Sequence, residues 1–380
     1  MRYQVWLTLE SPLIVARSRA TGNQLETIKW VPGATWRGAL AAAVIASLPR
    51  GAKPENDSKF QTLFLDNRVR FGYLTANGEQ LFPLSARICA DDDTHRFHDL
   101  LLLRELGAKL PRTCGRLVAG GLKCTAKLTP HDGLVRLENG RPTEKDPPIR
   151  VVAHTAISNE TLRVREEQFY TATAVERGTV FRGEVWVKDT ATAVVFERTC
   201  AASAWLTLGR GRTRGHGHGK LQVQGIGDAR TDVLEKLEGL NVPFAERNQA
   251  GFTVTLDSPC LVFNEWGLSR PFLTPADIAE AAGRPASELT DYELADWHSR
   301  FVAIGGWNAQ AGLPKSEVLA IAPGSAFLFR RNLGSASRAE EYNRLAAILG
   351  DAAEGIGEKW AEGYGQARFC DSIHWKERGR

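Results

Sequence analysis

The sequence lacks the features that mark several classes of protein. No stretch approaches the ~18 consecutive apolar residues that a membrane-spanning helix needs, and no apolar segment follows a basic start. The six cysteines are scattered without a C-x-x-C pair, and this spacing argues against a disulfide framework or a zinc ribbon. We therefore expect a cytoplasmic protein without membrane contact, whose thiols are reduced and mostly buried.

One region nevertheless collects side chains that could bind a metal. They lie close to the acidic run at 91–93 and are Cys89, His95, His98, Cys114 and Cys124. Sulfur and imidazole ligands suit zinc, but the spacing follows no recognised zinc motif. The sequence therefore favours structural thiols, leaves zinc binding here undecided, and predicts no metal site and no cofactor.

The strongest internal signal is a duplication. Glycines at positions 209, 211, 217 and 219 recur with the same spacing at 355, 357, 363 and 365. Residues 9–15 (LESPLIV) match residues 256–262 (LDSPCLV), and residues 178–181 (GTVF) match residues 324–327 (GSAF). The second match precedes the first of these glycines by 31 positions in both copies. We therefore predict one module that is used twice.

Each copy predicts the same succession of secondary-structure elements. In the first copy, period-2 alternation and β-branched residues indicate strands at 3–10 and 178–188, and apolar runs without breakers indicate helices at 35–46 and 192–208. The last of these helices would place Trp205 in the core. Strand, helix, strand, strand, helix, strand is the order of the ferredoxin-like fold and of the RNA recognition motif. We therefore predict an α+β protein of two ferredoxin-like (βαββαβ) modules in tandem.

The two copies differ in length, which predicts the domain boundaries. The segments that match are separated by about a hundred more residues in the first copy, so this copy carries a long insertion at about 50–170. The prediction is a first module at 1–228, a connector at 229–250 and a second module at 251–380.

Charge is distributed unevenly between the two copies. The formal net charge is +10 for residues 1–230 and −6 for residues 231–380. A basic half beside an acidic half indicates that the first module binds a polyanion and that the second binds something else.

The basic side chains of the first glycine-rich stretch predict an anion-binding site. Glycines allow close approach of the backbone, and the side chains between and after them are Arg210, Arg212, Arg214, His216, His218 and Lys220. This stretch does not match a nucleotide-binding P-loop. A P-loop connects a strand to the helix that follows it, whereas this stretch connects a predicted helix to a strand. Neighbouring arginines would repel a metal ion at the two histidines. Recognition of an RNA backbone fits the charge, the glycines and the predicted fold.

Several motifs in these residues resemble the RAMP superfamily of CRISPR-associated proteins. They are VPGATWRGAL at 31–40, TAIS at 155–158, RGTVF at 177–181 and the glycine-rich stretch itself. GGWN at 305–308 and GLPK at 312–315 make the chain most similar to the two-module RAMP subunit of type III-D effectors.

The resemblance implies a non-catalytic subunit that holds the 5′ handle of the guide RNA. Its partners would be the guide RNA, other RAMP backbone subunits and the large polymerase-like subunit, beside which it would cap the backbone filament and reach target RNA indirectly. Arg37, Arg210, Arg212 and Arg214 would contact the guide backbone, together with His216, His218 and Lys220. Arg163 and Arg165 would lie on a thumb-like hairpin that wedges between nucleotides.

The predicted turns also place tryptophans where they could stack on bases. These are Trp36, which we include among the RNA-binding residues, Trp266 and Trp307.

Two alternatives differ in class from this interpretation. RAMP subunits that cut target RNA carry an aspartate before the Pro-Gly helix start, whereas residues 18–30 contain only Glu26. An endoribonuclease that processes CRISPR precursor RNA remains possible through His216 or His218, since histidine is a common general base. A purely structural interaction protein is favoured by the acidic second module and opposed by the basic first loop. We expect no enzymatic activity.

Overall fold

A computed structural model describes most of the chain. The described residues are 1–16, 24–76, 79–92, 95, 97–105, 111–117, 121–131, 133–138, 141–144, 146–157, 164–227, 229–308 and 313–375. Among them, no helix is both long and apolar enough to cross a membrane.

The described residues form strands that are joined by helices and short turns. In chain order the strands are β1 Arg2–Leu9, β2 Gln24–Leu25, β3 Trp30–Val31, β4 Val69–Phe71, β5 Leu74–Ala76, β6 Gln80–Leu81, β7 Ala86–Cys89, β8 His98–Asp99, β9 Leu128–Pro130, β10 Leu134–Glu138, β11 Arg141–Glu144, β12 Ile149–Ile157, β13 Val164–Val175, β14 Val180–Val187, β15 Trp205–Thr207, β16 His218–Ile226, β17 Gln249–Leu256, β18 Glu293–His298, β19 Phe301–Asn308, β20 Leu313–Ile321, β21 Ala326–Asn332 and β22 Ala367–Phe369. The helices are α1 Gly33–Ser47, α2 Ser58–Phe60, α3 Leu101–Glu105, α4 Thr190–Ala202, α5 Ala229–Ala245, α6 Pro275–Ala281 and α7 Arg338–Ala352. Short 3₁₀ turns lie at Pro54–Asn56, Arg212–Arg214, Ala286–Leu289, Trp360–Glu362 and Ser372–His374, and a π-helical turn at Gln61–Leu65.

The chain divides into two compact units. Unit 1 comprises residues 1–78, 146–227 and 305–316, and unit 2 comprises residues 79–145, 228–304 and 317–380. Their formal net charges are +9 and −5, so the charge asymmetry of the sequence follows the units. Residues 79–145, which the sequence prediction kept in the first module, lie in unit 2.

Unit 1 is built on a sheet that has β1 near its centre. The strand order is β15-β16-β1-β14-β5-β3, with β4 also paired to β14, and the strands of this sheet are antiparallel. Alternate residues of β1, from Tyr3 to Leu9, are buried. They join one core with side chains of α1 and α4, including Trp36, Leu40 and Phe196. Helices therefore cover one face of the sheet, as the alternation predicts.

Unit 2 contains a sheet with the same order of elements. The strand order is β18-β21-β17-β22, all antiparallel. As in unit 1, the first strand (β17) lies between the third (β21) and the last (β22), and a helix (α7) connects these two in sequence. The strand β17 is buried over most of its length, and its Phe252 packs on Phe329 of β21 with ring centroids 5.0 Å apart. The seven-stranded sheet of unit 1 and the four-stranded sheet of unit 2 thus share the order of their central strands.

Residues 79–145 of the insertion belong to unit 2, and their side chains complete that unit's core, whereas residues 50–78 and 146–170 remain in unit 1. Leu101 and Leu102 of α3 are buried with residues of β17, β21 and α7. Arg368 of β22 donates a hydrogen bond to the backbone oxygen of Leu81 (2.7 Å) and pairs with Asp257 (2.8 Å). The sequence prediction assigned residues 79–145 to the first module because they lie within it in sequence. The contacts with unit 2 join distant parts of the chain, so the spacing of residues in sequence does not reveal them.

The helix predicted at 192–208 is shorter than the sequence indicates. It begins at Thr190, after Asp189, whose carboxylate accepts a hydrogen bond from the Thr192 amide (2.8 Å), and it ends at Ala202. The next residues form the edge strand β15, in which Trp205 is 62% exposed and Leu206 is buried. The prediction of Trp205 as a core residue is therefore wrong, because a period of two replaces the helical period after Ser203.

A buried contact between an aspartate and a histidine joins the insertion to the segment after β22 and makes unit 2 sensitive to acid. The Asp99 carboxylate contacts Nδ1 of His374, whose Nε2 lies 2.8 Å from the hydroxyl of Thr255. Burial alone would raise the pKa of the Asp99 carboxyl, but His374 outweighs it and holds this pKa below its usual value. A carboxyl with a lowered pKa stabilises the fold above its unfolded-state pKa of about 3.9, and this contribution is lost as the pH falls through the folded-state value.

We predict that Asp99→Asn lowers the free energy of unfolding by about 3 kcal/mol near neutral pH, because it breaks a buried pair. The variant should also lose less stability than the parent between about pH 5 and pH 2. Urea unfolding across this pH range measures both effects. The control is Asp291→Asn, which removes an exposed partner of Arg331 in the same unit. Equal stability and equal acid dependence of the two variants would contradict the assignment.

Candidate nucleic-acid interface

The first glycine-rich stretch connects the adjacent strands β15 and β16, and we call residues 208–217 glycine loop 1. Four glycines in it have left-handed backbone angles, at 209, 211, 215 and 217. Two of them also approach other backbone atoms closely. A Cβ added to Gly217 would lie 1.8 Å from the oxygen of Leu208, and one added to Gly209 would lie 2.4 Å from the oxygen of Ile14. Only glycine fits both requirements at these two positions.

Backbone hydrogen bonds fix glycine loop 1 to the segment that follows β1. The amide of Gly217 donates to the oxygen of Pro12 (2.8 Å), and the amide of Arg210 donates to the oxygen of Ile14 (2.8 Å). The two ends of the loop also meet, because the amide of Leu208 donates to the oxygen of Gly217 (2.9 Å). The loop therefore presents its side chains from a defined backbone.

Unit 2 repeats this arrangement in glycine loop 2, residues 356–365. The amide of Gly365 donates to the oxygen of Pro259 (2.8 Å), and the amide of Glu358 donates to the oxygen of Leu261 (2.9 Å). The ends of the loop meet through the amide of Ile356 and the oxygen of Gly365 (3.0 Å).

The structural match between the loops corrects the pairing of glycines that the sequence indicated. Hydrogen bonds and close approaches pair Gly209 with Gly357, Gly211 with Lys359, Gly215 with Gly363 and Gly217 with Gly365. This register is two residues away from the sequence match. In this register the loop glycine lies 33 residues after Gly324 in unit 2 but 31 residues after Gly178 in unit 1, so the segment that carries α7 is two residues longer in total than the segment that carries α4. Because each stretch contains several glycines two residues apart, the sequence allows either alignment of the two loops. The hydrogen bonds decide between the two alignments.

The two loops share a backbone but differ in charge. Loop 1 exposes Arg210, Arg212 and Arg214 and contains no acidic residue, whereas loop 2 carries Glu358 and Glu362. Among the residues that the structure describes, the guanidinium groups of Arg210 and Arg212 have no hydrogen-bond or ion-pair partner. Other exposed arginines of unit 1 do pair with carboxylates, such as Arg177 with Glu10 at 3.5 Å. Loop 1 thus has the charge available to bind an anion.

A groove of about 410 Å³ lies against glycine loop 1. Its lining combines apolar, aromatic and basic side chains from three parts of unit 1, namely Ile14, Leu25, Tyr170, Ala172, Arg210, Gly211, Thr213, Arg214 and His216. Arg214 is positioned by the hydroxyl of Tyr170, to which its Nη1 donates (2.5 Å). The volume lies in the range of small-molecule sites, and an apolar floor with cationic walls suits a nucleotide.

The sheet next to the loop adds further exposed side chains. Trp205 of β15 is the cross-strand partner of Lys220 of β16, and Thr207 is the partner of His218. Nδ1 of His218 lies 3.2 Å from the hydroxyl of Thr207. In β16, His218 and Lys220 are exposed while the residues between and after them are buried. His218, Lys220 and Trp205 therefore share the exposed face beside loop 1.

The remaining residues that were predicted to bind RNA have different environments in the structure. Trp36 is fully buried in α1, and its Nε1 donates to the oxygen of Gly72 (2.9 Å). It cannot stack on a base, so its inclusion was wrong, because it is the apolar anchor of the helix rather than a residue of the preceding turn. The guanidinium of Arg37 donates to the oxygen of Phe64. Arg163 lies outside the described residues, and of Arg165 only the backbone, in β13, is described.

The other two tryptophans considered for base stacking are not among the described residues of this site, which includes two residues that the sequence analysis missed. Trp266 is 78% exposed and lies in unit 2, and the side chain of Trp307 is outside the described part of the chain. Tyr170 and Trp205 were missed. The leucines two residues apart at 206 and 208 were the available signal that Trp205 lies on the opposite face of a strand, whereas nothing near Tyr170 in sequence indicates its contact with Arg214.

Comparison with protein families decides the relationship of the chain. A family model described as CRISPR-associated protein (Cas_Cmr3) matches residues 136–370, well over half of the chain. The chain belongs to the Cas_Cmr3 family. It is therefore a Cmr-type CRISPR-associated protein. This agrees with the sequence resemblance to the RAMP superfamily, but it does not test the resemblance to the type III-D subunit. No curated protein is significantly similar to this Cas_Cmr3 family member in sequence.

Solved structures of CRISPR proteins are similar to this Cas_Cmr3 chain. One is a chain of type III-B Cmr-beta bound to cognate target RNA and AMPPnP, with 15% identity, a TM-score of 0.43 and coverage of 91% of this chain and 94% of that chain. Another, from Cmr-beta bound to cognate target RNA, has 14% identity, a TM-score of 0.40 and the same coverage. Cmr4 (Cas7) of Pyrococcus furiosus has 14% identity and a TM-score of 0.27, covering 60% of this chain and 100% of that chain. Because the sequence identities and TM-scores are this low, these structures assign no role to any residue of this chain.

We predict that Gly217→Ala destabilises unit 1 by about 2–4 kcal/mol, because it combines left-handed strain with a clash against the Leu208 oxygen. Gly215→Ala is the matched control. Its backbone angle is similar (φ +80° against +78°), but its Cβ would meet no atom within 4 Å, so about 1 kcal/mol is expected. Urea unfolding of both variants gives the comparison. A loss at Gly217 no larger than the loss at Gly215 would show that the loop is not held as described.

Proposed function

We propose that this Cas_Cmr3 family member is a non-catalytic subunit of a type III CRISPR effector that binds guide RNA through glycine loop 1. The observation that carries the proposal is the exposed pair Arg210 and Arg212, held on a fixed backbone beside a groove and lacking protein partners among the described residues. Membership of the family gives the CRISPR context.

The proposed architecture is two ferredoxin-like modules in tandem. Support comes from the order of strands, which in each unit places the first strand between the third and the last, with helices in the two crossover connections. In this view the sheet of unit 1 is the recognition module, and residues 79–145 of the insertion are an elaboration that packs with unit 2.

The binding mechanism follows from the chemistry of the site. Arginine donates planar, charge-assisted hydrogen bonds to phosphate oxygens, so Arg210, Arg212 and Arg214 would follow the sugar-phosphate backbone. The apolar floor of the groove, Ile14, Leu25 and Ala172, would accommodate a ribose or base. Trp205 offers a surface for base stacking, and Lys220 adds a cation beside it. Backbone contacts of this kind position an RNA without reading its sequence.

The place of the subunit in the assembly extends the proposal. An RNA contact that does not depend on sequence suits a constant segment such as the 5′ handle of the guide. Unit 2 is acidic and its equivalent loop has lost the arginines, so it would face protein, either another backbone subunit or the large polymerase-like subunit. The resemblance in sequence implies type III-D, whereas similar folds come from type III-B; the partners that co-purify with the chain distinguish the two subtypes.

We predict that replacing Arg210, Arg212 and Arg214 together by alanine weakens binding of guide RNA and reduces the slope of log Kd against log salt by about two to three. Titrations of the purified subunit with the RNA at several salt concentrations measure this slope. The control removes three cations from other exposed positions of unit 1, by Arg50→Ala, Lys188→Ala and Arg198→Ala. An unchanged slope in the loop variant, or an equal change in the control, would exclude loop 1 as the RNA contact.

The proposal also predicts no RNA cleavage. A general base needs a positioned partner, and the described neighbour of His218 is a threonine hydroxyl rather than a carboxylate. Incubating the purified protein with CRISPR repeat RNA without added metal should leave the RNA intact. A specific cut that His216→Ala or His218→Ala abolishes would instead support the processing endoribonuclease.

A further inference from the structure

Four potential metal ligands meet in the insertion, within unit 2. Cys89 is the last residue of β7, and His95 follows it in the next loop. Cys114 and Cys124 lie in two segments that are paired by antiparallel bridges between Thr113 and Lys127 and between Leu117 and Lys123. The amide of Cys124 donates to the oxygen of Arg116 (2.7 Å), and the amide of Gly115 donates to the oxygen of Cys124 (2.8 Å). Folding thus brings together residues whose spacing in sequence matches no motif.

The distances between the ligand atoms fit a tetrahedral site. All four atoms, three Sγ and one imidazole nitrogen, lie within 4.8 Å of one another. The Sγ atoms of Cys89 and Cys124 are 3.8 Å apart, and Nδ1 of His95 is 3.2 Å from Sγ of Cys114. Zinc–sulfur bonds of about 2.3 Å at tetrahedral angles place two sulfurs about 3.8 Å apart. A disulfide would require about 2.05 Å.

The surroundings of His95 match those of a metal-binding histidine. Its Nε2 lies 3.3 Å from a carboxylate oxygen of Asp92, so the ring nitrogen that faces away from the cluster has an acidic partner. Such a carboxylate fixes the ring and makes the other nitrogen a better ligand. His98 is not a member of the cluster, since its Nε2 lies 3.1 Å from the backbone oxygen of Cys114.

The cluster occupies a part of the fold that has little apolar core. The buried residues of this cluster are Cys89, Cys114 and Ala126, and Cys124 and Leu128 are partly buried against them. Small sheets with so little apolar burial are commonly held by a metal or a disulfide. Lys123, Lys127 and Arg116 lie close to the cysteines in sequence and would balance the negative charge of three thiolates on a divalent ion.

We propose that Cys89, His95, Cys114 and Cys124 bind one structural zinc ion. Three sulfurs and one imidazole nitrogen select zinc among common divalent ions, and four protein ligands leave no position for substrate. The role is to stabilise the insertion, and it does not depend on the proposed RNA binding. This inference reverses the prediction of no metal, because that prediction used spacing along the chain and the structure supplies spacing in three dimensions.

The test is the metal content of the full-length protein, purified under reducing conditions without chelator from cells supplied with zinc. Elemental analysis should give about one zinc per chain, and Cys114→Ser and His95→Ala should each lose most of it. His95→Cys should retain zinc, since a thiolate can replace the imidazole. Cys200→Ser is the control, because this thiol is buried in unit 1, away from the cluster. Absence of zinc from the parent protein, or full zinc in Cys114→Ser, would overturn the proposal.

A second measurement uses only the parent protein, so its result does not depend on whether a variant folds. Cobalt(II) exchanged into the parent protein should give thiolate charge-transfer bands and the intense visible bands of a tetrahedral ion. A spectrum of octahedral cobalt would overturn the proposal. So would alkylation and mass spectrometry that show Cys89 and Cys124 joined as a disulfide in the freshly purified protein.

Discussion

The central constraint in this structure is the fixation of each glycine loop to the segment that follows the first strand of its sheet. In unit 1 the amides of Gly217 and Arg210 donate to Pro12 and Ile14, and in unit 2 the amides of Gly365 and Glu358 donate to Pro259 and Leu261. Left-handed glycines without space for a Cβ make this path possible. The side chains of the loop are therefore held at one edge of a sheet, and substitutions among them can change the ligand without changing the backbone.

The two units illustrate this separation of backbone and chemistry. Both keep the strand order and the loop hydrogen bonds, yet unit 1 has a net charge of +9 and an arginine-rich loop, and unit 2 has a net charge of −5 and glutamates in the equivalent loop. The difference in charge is the basis of our proposal that unit 1 contacts a nucleic acid and unit 2 contacts protein. The insertion adds its own leucines to the second core and its own group of sulfur and nitrogen ligands.

Much of the fold could be predicted from the sequence, and the limits have physical causes. Period-2 burial identified β1, and the repeated segments identified the duplication, because both depend on local patterns. The end of α4 and the exposure of Trp205 were missed, since an apolar run allows either helix or strand. The basic residues of the site were identified by composition. Tyr170, the burial of Trp36 and the convergence of Cys89 with Cys124 depend on contacts between distant segments, which spacing does not report.

Photochemical cross-linking of guide RNA within the purified effector would show whether glycine loop 1 contacts the RNA. Identification of the cross-linked peptides by mass spectrometry would compare the two loops in one experiment. We expect cross-links in residues 205–220, at glycine loop 1 and the adjoining strands, and none in glycine loop 2. Cross-links in loop 2 with none in loop 1 would contradict this expectation.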